Sequence, residues 1–309
     1  MADSPFKTNP ELAAFLAAHP GRDMDRNGLR LHYLDEGQGK PVVMVHGNPT
    51  WSFHFRRLVE ALAPTYRTIV PDQIGCGLSD KPDDSRYTYT LASRVDDLEA
   101  LLDHLGVDRD ITLVAHDWGG MIGLTYAARH PGRIARLAVM NTAAFHMPRA
   151  KSFPWALWIC RDTPLGGWMV RGLNAFVRGT ALIGCTRKRL PRAIRDAYAA
   201  PYDSWDHRIA IHRFVQDIPL RPGDRSYDLV SWVESRLPIL ASVPLLIAWG
   251  MRDFVFDKPF LDEWIRRFPR AEVHRFDRAG HYLLEDEAET LIPLIRKFVQ
   301  KPQIVPDRV

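Results

Sequence analysis

Short apolar runs bounded by turn residues recur along the chain. Leu31–Leu34, Val42–Val45, Thr68–Val70, Ile111–Val114, Leu137–Met140, Leu245–Trp249 and Val273–Phe276 have the length of strands. The middle runs are apolar at nearly every position, as in a parallel strand buried on both faces. Between them, apolar residues return at helical spacing: Phe55, Leu58, Val59 and Leu62 form one stripe, and Leu91, Val95, Leu98 and Leu102 another. Repeated strand–helix units predict an α/β protein with a mostly parallel, doubly wound sheet and right-handed crossovers. Ligands of such sheets bind beyond the carboxyl ends of the strands, so the chemistry is expected on strand-to-helix turns.

The alternation stops after Asn141 and resumes near Val243. The stretch between carries Trp155, Trp158, Trp168, Trp205 and Trp232, and has helical patterns at Ile194–Ala200 and Trp205–Val215. It reads as a helical cap over residues 145–240, inserted between core segments 1–144 and 241–309. Its Trp, Phe and Leu content predicts an elongated apolar cavity.

Four turns carry candidate chemistry. Leu113-Val-Ala-His-Asp117-Trp-Gly-Gly runs from a strand into a helix through one acidic residue with small residues two positions to either side, Ala115 and Gly119. That is the context of a nucleophile elbow, with Asp117 in the place of the usual serine. On this segment alone an N-cap is the commoner role for such an Asp. His46-Gly-Asn48-Pro-Thr-Trp51 follows an earlier buried strand, where a second oxyanion-hole amide is placed in enzymes built this way. Late in the chain, Asp253 and then His281 each close a strand, giving the order nucleophile, acid, base. Glu285 and Asp286 are the fallback acids for His281. Asp72-Gln-Ile-Gly75-Cys-Gly77 does not have the dinucleotide spacing and reads as structural. His104, His130, His207 and His212 follow no strand and read as satisfied surface residues.

With 46% hydrophobic and 25% charged residues the chain has a globular composition, which excludes disordered and coiled-coil classes. A net charge of +4, with basic residues scattered among acids, argues against a nucleic-acid partner. The most apolar stretch, Phe153–Cys160, ends at Arg161 and Asp162, too short to span a bilayer. MADSPFKTNP has an acid and a proline and does not read as a signal peptide, which points to the cytoplasm. Cys76, Cys160 and Cys185 lie at wide, unpatterned spacing, which argues for free thiols and against a zinc site.

Taken in order, His46-Gly-Asn-Pro-Thr-Trp51, His116-Asp-Trp-Gly-Gly120, Asp253 and Gly280-His281 resemble the haloalkane dehalogenase group of α/β-hydrolases over almost the whole chain. The cap, from Asn141-Thr-Ala-Ala-Phe145 through Gly172-Leu-Asn-Ala-Phe176, is more similar to the β-lactone decarboxylase branch of bacterial olefin biosynthesis. The resemblance implies an α/β-hydrolase fold with Asp117 as nucleophile, His281 oriented by Asp253, and Asn48 and Trp118 donating N–H groups to the leaving group. It implies that a cis-3,4-dialkyl-β-lactone loses carbon dioxide to give a cis-olefin, the last step of long-chain olefin biosynthesis, with no cofactor and no metal. First attack on the ring carbonyl or on the alkyl carbon fits these residues equally. The expected partner is a hydrophobic small molecule, with assembly beside a β-lactone synthetase. A hydrolytic haloalkane dehalogenase shares the same site residues. An epoxide hydrolase would need a pair of cap tyrosines, for which Tyr198, Tyr202 and Tyr227 are available. A non-catalytic receptor on this fold would be expected to lack a triad member.

Overall fold

The computed structural model describes residues 9–302. The opening residues read against a signal peptide therefore lie, from 1 to 8, outside the described residues. Eight strands form one sheet in the order β1-β2-β4-β3-β5-β6-β7-β8. They are β1 Arg22–Arg26, β2 Leu29–Glu36, β3 Pro41–Val45, β4 Arg67–Pro71, β5 Ile111–Asp117, β6 Ile134–Thr142, β7 Leu245–Gly250 and β8 Glu272–Phe276. The first two ladders are antiparallel and the remaining five are parallel. Each apolar run of the sequence falls within a strand, and the α/β, doubly wound expectation is met.

β1 had no apolar run to announce it. Its sequence Arg-Asp-Met-Asp-Arg buries only Met24, because an antiparallel edge strand has one solvent face and few neighbours. The signal that marks it is the turn: Asn27 and Gly28 both have positive φ, at 56° and 76°, the two-residue hairpin that Asn-Gly favours.

Helices fill both faces. α1 spans Pro10–Ala18, α2 Arg56–Leu62, α3 Leu91–His104 and α4 Trp118–Arg129; α2, with Phe55 just before it, and α3 carry the two predicted stripes, both buried. α3 begins where Thr90 caps Ser93 and where the Leu91 N–H donates to Asp217 Oδ2 at 2.7 Å, tying the core to the segment beyond β6. Between β6 and β7 the regular elements of the described residues are helical. The main ones are α5 Trp155–Asp162, α6 Ala175–Ile183, α7 Arg192–Ala199, α8 Ile209–Gln216 and α9 Tyr227–Arg236. α10 Lys258–Arg267 follows β7 and α11 Ala288–Gln300 follows β8.

The Asp72 turn is structural: its carboxylate accepts from the Ser52 and Leu78 amides at 2.7 and 2.8 Å. The three cysteines are free thiols. His212 corrects the expectation of a surface residue: it is buried, its ring Nε2 3.1 Å from the Cys160 carbonyl, because α8 turns that face inward against α5.

Candidate active site

β5 is buried at all seven positions and runs straight into α4 through Asp117. Asp117 has φ 53° and ψ −128°, a conformation that costs a non-glycine residue on the order of 1–3 kcal/mol and is held only where its surroundings over-determine it. The surroundings are glycines. A Cβ on Gly119 would sit 1.9 Å from the Val45 carbonyl oxygen, and one on Gly47 would sit 2.1 Å from Asp117 Oδ1. The elbow can therefore press against β3 only with hydrogen at both positions. The side chain makes no capping bond to α4, so the N-cap role is not the one it plays. Instead Oδ1 accepts the Asn48 backbone N–H at 2.6 Å, and the carboxylate faces the interior. The loop amide expected to serve an oxyanion is thus spent on Asp117 itself.

The acid and the base arrive from the last two strands. β6 carries one extra residue at its end, where pairing steps from His116↔Met140 to Asp117↔Thr142, and Asn141 occupies the slack with φ 34°. The Asn141 amide bridges to β7: its Oδ1 accepts from the Gly250 N–H at 2.8 Å and its Nδ2 donates to the Gly250 carbonyl at 3.0 Å. Gly250 in turn has no room for a side chain, since a Cβ there would lie 2.2 Å from the Gly280 oxygen. The Asp253 and His281 loops meet at that point. Asp253 Oδ1 accepts the Val255 and Phe256 amides at 2.7 and 3.1 Å, and Oδ2 lies 2.8 Å from His281 Nδ1. The other ring nitrogen, Nε2, is 3.7 Å from Asp117 Oδ2. The structure brings Asp117, His281 and Asp253 together. The fallback acids are engaged elsewhere. Glu285 pairs with Arg56 at 2.6 Å and accepts from Tyr198, while Asp286 takes the amides of Thr186, Arg187 and Gly280.

Burial and charge set the ionisation. Burial pushes Asp117 up to about 6, against the pull of His281 and of the Trp118 and Asn48 amides. Burial opposes the ionised Asp253 too, but His281 and two backbone amides outweigh it and its pKa falls below the ordinary value. For His281, burial works against the cation and is overcome by Asp253 and Asp117, so its pKa rises. The result is an imidazolium-stabilising pair beside a carboxylate that is ionised near neutrality. Chemistry that needs Asp117 ionised is expected to fall about tenfold per pH unit below about pH 6, since protonation removes the reactive form. A pH–rate profile whose acidic limb bends near 4 would contradict this.

An apolar cavity opens on these groups. Asp117, His281, Asn48 and Trp118 line it together with Phe145, Leu157, Phe176, Ile218, Phe254 and Phe256. Among the described residues the Trp118 indole N–H has no acceptor, and its ring rests on Phe214. One hydrogen of the Asn48 amide is taken by the Ile211 carbonyl at 3.2 Å, which leaves the other for a ligand. The tryptophans expected to wall the cavity do not. Trp155, Trp158, Trp168 and Trp205 point outward and Trp232 packs half-buried on the core, because the inner faces of these helices present Leu, Val and Phe instead. The cap tyrosines are also elsewhere. Tyr198 bonds His54 and Glu285, Tyr202 lies against Gly77 and Thr50, and Tyr227 stacks on His146, so no tyrosine pair faces Asp117.

One neighbour went unread in the sequence. His116, just before Asp117, places Nε2 2.8 Å from the His281 carbonyl and stacks between the rings of His54 and His281. Burial drives its pKa down to about 3, so it is neutral and donates to that carbonyl. Its adjacency to the nucleophile position was the available signal. No group of side chains able to hold a metal occurs among the described residues.

Comparison with known proteins agrees with this geometry. Residues 40–159 match the model of the alpha/beta hydrolase fold. The chain is 57% identical over 286 residues to a cis-3-alkyl-4-alkyloxetan-2-one decarboxylase of Shewanella oneidensis, covering 93% of this chain and 90% of the relative. It is 51% identical over 283 residues to one of Xanthomonas campestris pv. campestris, covering 89% and 94%. A crystal structure of a haloalkane dehalogenase from Agrobacterium tumefaciens superposes with a TM-score of 0.80 at 25% identity, over 90% of this chain and 95% of that one. With an acid at the elbow, a histidine and second acid on the last two strand ends, and whole-length likeness of this degree, the chain belongs to the cis-3-alkyl-4-alkyloxetan-2-one decarboxylase family within the α/β-hydrolase fold.

Proposed function

We propose that this enzyme converts a cis-3,4-dialkyl-β-lactone into a cis-alkene and carbon dioxide, with Asp117 as nucleophile. The whole-length likeness to the two named decarboxylases carries the reading, and it is supported by a buried carboxylate lining an apolar cavity. A carboxylate of this kind displaces leaving groups from saturated carbon. We assign its attack to the alkyl carbon that bears the ring oxygen. The carbon–oxygen bond breaks, the ring opens to an ester on Asp117, and the departing oxygens become a free carboxylate received by the Trp118 and Asn48 N–H groups. The bond from carbon to that carboxylate then breaks, its electron pair forms the alkene, and Asp117 leaves with its own electrons while carbon dioxide departs. Inversion in the first step and anti elimination in the second together turn a cis ring into a cis alkene. Neither water nor a net proton is consumed. The imidazolium of His281, 3.7 Å from Asp117 Oδ2, receives the negative charge returning to Asp117.

In this proposal residues 145–240 serve as the lid that keeps the ester dry. A haloalkane dehalogenase would use the same residues but hydrolyse its ester, so the two differ in what water does. Purified protein should release alkene and carbon dioxide in equal amounts from a cis-3,4-dialkyl-β-lactone, with little or no halide from 1-bromo- and 1-iodoalkanes. Repeated turnover of the lactone in ¹⁸O-water should leave Asp117 unlabelled. Robust halide release without alkene, or ¹⁸O in Asp117, would sink the assignment.

Placement at the end of olefin biosynthesis, in the cytoplasm and beside a β-lactone synthetase, is proposed from the family resemblance. Elution of the chain from a native lysate at its monomer mass, apart from any synthetase activity, would overturn the assembly. Among the described residues no helix is long and apolar enough to cross a membrane.

A further inference from the structure

The outward tryptophans call for an explanation. Of the ten large hydrophobic side chains that stand well exposed among the described residues, seven lie between residues 155 and 183. Trp155 is 76% exposed, Trp158 51%, Leu165 57%, Trp168 52% and Ile183 55%. They sit on consecutive elements: α5, the short turns that follow it, and α6. Apolar exposure this concentrated marks a binding surface rather than ordinary scatter.

Charge distinguishes what it binds. Residues 145–200 contain ten Lys and Arg against two acids, a net +8 in a chain whose total is +4. Both acids, Asp162 and Asp196, are already paired, with Arg161 and Arg192. Among the described residues Arg149, Arg178, Lys188 and Arg189 are exposed and make no ion pair. Exposed indole rings and unpaired cationic side chains in one segment suit the headgroup layer of an anionic bilayer, where an amphipathic ring sits at the boundary and Lys and Arg meet phosphate. The position also fits. Among the cavity-lining residues Phe254 is exposed, and Phe153 and Pro154 are partly exposed and lead directly into α5 with Trp155 and Trp158, which places a mouth of the cavity beside that helix.

We propose that the cationic, tryptophan-bearing outer face of residues 145–200 docks on an anionic lipid surface, with the cavity mouth turned toward the bilayer. Docking would let an apolar substrate enter from lipid; only this last point rests on the proposed reaction. The binding itself is measured without substrate, so its failure and the failure of the decarboxylase reading are separate results.

The test is co-sedimentation of the full chain with vesicles of phosphatidylcholine alone and with phosphatidylglycerol as about a third of the lipid, at low and high salt. Wild-type protein should bind the anionic vesicles several-fold more than the neutral ones, with its tryptophan emission shifted to the blue. Trp155→Ser combined with Trp158→Ser should lower bound protein about fivefold or more at unchanged charge, and Lys188→Glu with Arg189→Glu should do so on anionic vesicles. Both variants should keep wild-type turnover on detergent-dispersed substrate. Folded wild-type protein that stays in the supernatant, or variants that sediment like wild type, would overturn the proposal. So would a self-association, or capture of a purified β-lactone synthetase, that the tryptophan variant abolishes while vesicles are not bound.

Discussion

Asp117→Asn is expected to lower turnover of the β-lactone by at least about 10⁴-fold while leaving the protein folded, because loss of a nucleophile removes the step and not merely a contact to it. The amide has the volume of the carboxylate, and Asn is among the residues that tolerate positive φ, so the elbow at φ 53° keeps its shape. Its Oδ1 can still accept the Asn48 N–H that now bonds Asp117 at 2.6 Å. What disappears is the negative oxygen facing the cavity. Folding should be checked by circular dichroism and thermal melting, and the Asn confirmed by mass spectrometry so that deamidation does not restore the acid. A folded, undeamidated variant with more than about one part in a hundred of the wild-type rate would remove Asp117 from the nucleophile's place.

Much of the site is legible in the amino-acid sequence because its residues sit where backbone geometry is most constrained. Asp117 stands between small residues that only a sharp turn requires, and the structure gives the reason: Gly119 and Gly47 each touch atoms that a Cβ would overlap. Asp253 and His281 follow apolar runs whose ends are fixed by the sheet, so their convergence follows from strand order. What escaped reading depends on long-range contact. The Asn141 bridge to Gly250 needs β6 and β7 side by side, 109 residues apart in sequence. His116 meets His281, 165 residues away, through its backbone carbonyl and a ring contact. The cap misled for a different reason. Composition counts tryptophans without direction, and a helix that contributes Leu157 to the cavity turns Trp155 and Trp158 the other way. The tyrosines misled likewise, since the phenol of Tyr198 is tied into the buried Glu285 and Arg56 pair rather than aimed at Asp117.

The second large effect is expected at Asp253. Removing its carboxylate should cost about 10²–10⁴-fold in turnover, the range for the orienting acid of a catalytic histidine. Two substitutions separate orientation from collapse. Asp253→Ala leaves the Val255 and Phe256 amides and His281 Nδ1 without their acceptor, so it should also lower stability by about 1–3 kcal/mol. Asp253→Asn can keep those amides bonded through Oδ1 but turns an NH₂ group toward Nδ1, which accepts only if the ring proton moves to Nε2. The ring would then be held neutral and unable to take the charge returning to Asp117. Asn should therefore restore most of the stability lost in Ala without restoring the rate. The histidine supplies an independent readout. Asp253, helped by Asp117, raises the His281 pKa against burial, so in both variants that pKa should fall and the imidazolium should be lost at a lower pH, visible in the ring-proton NMR titration. If both variants keep more than about a tenth of the wild-type rate, or the histidine titration does not move, Asp253 does not act through His281.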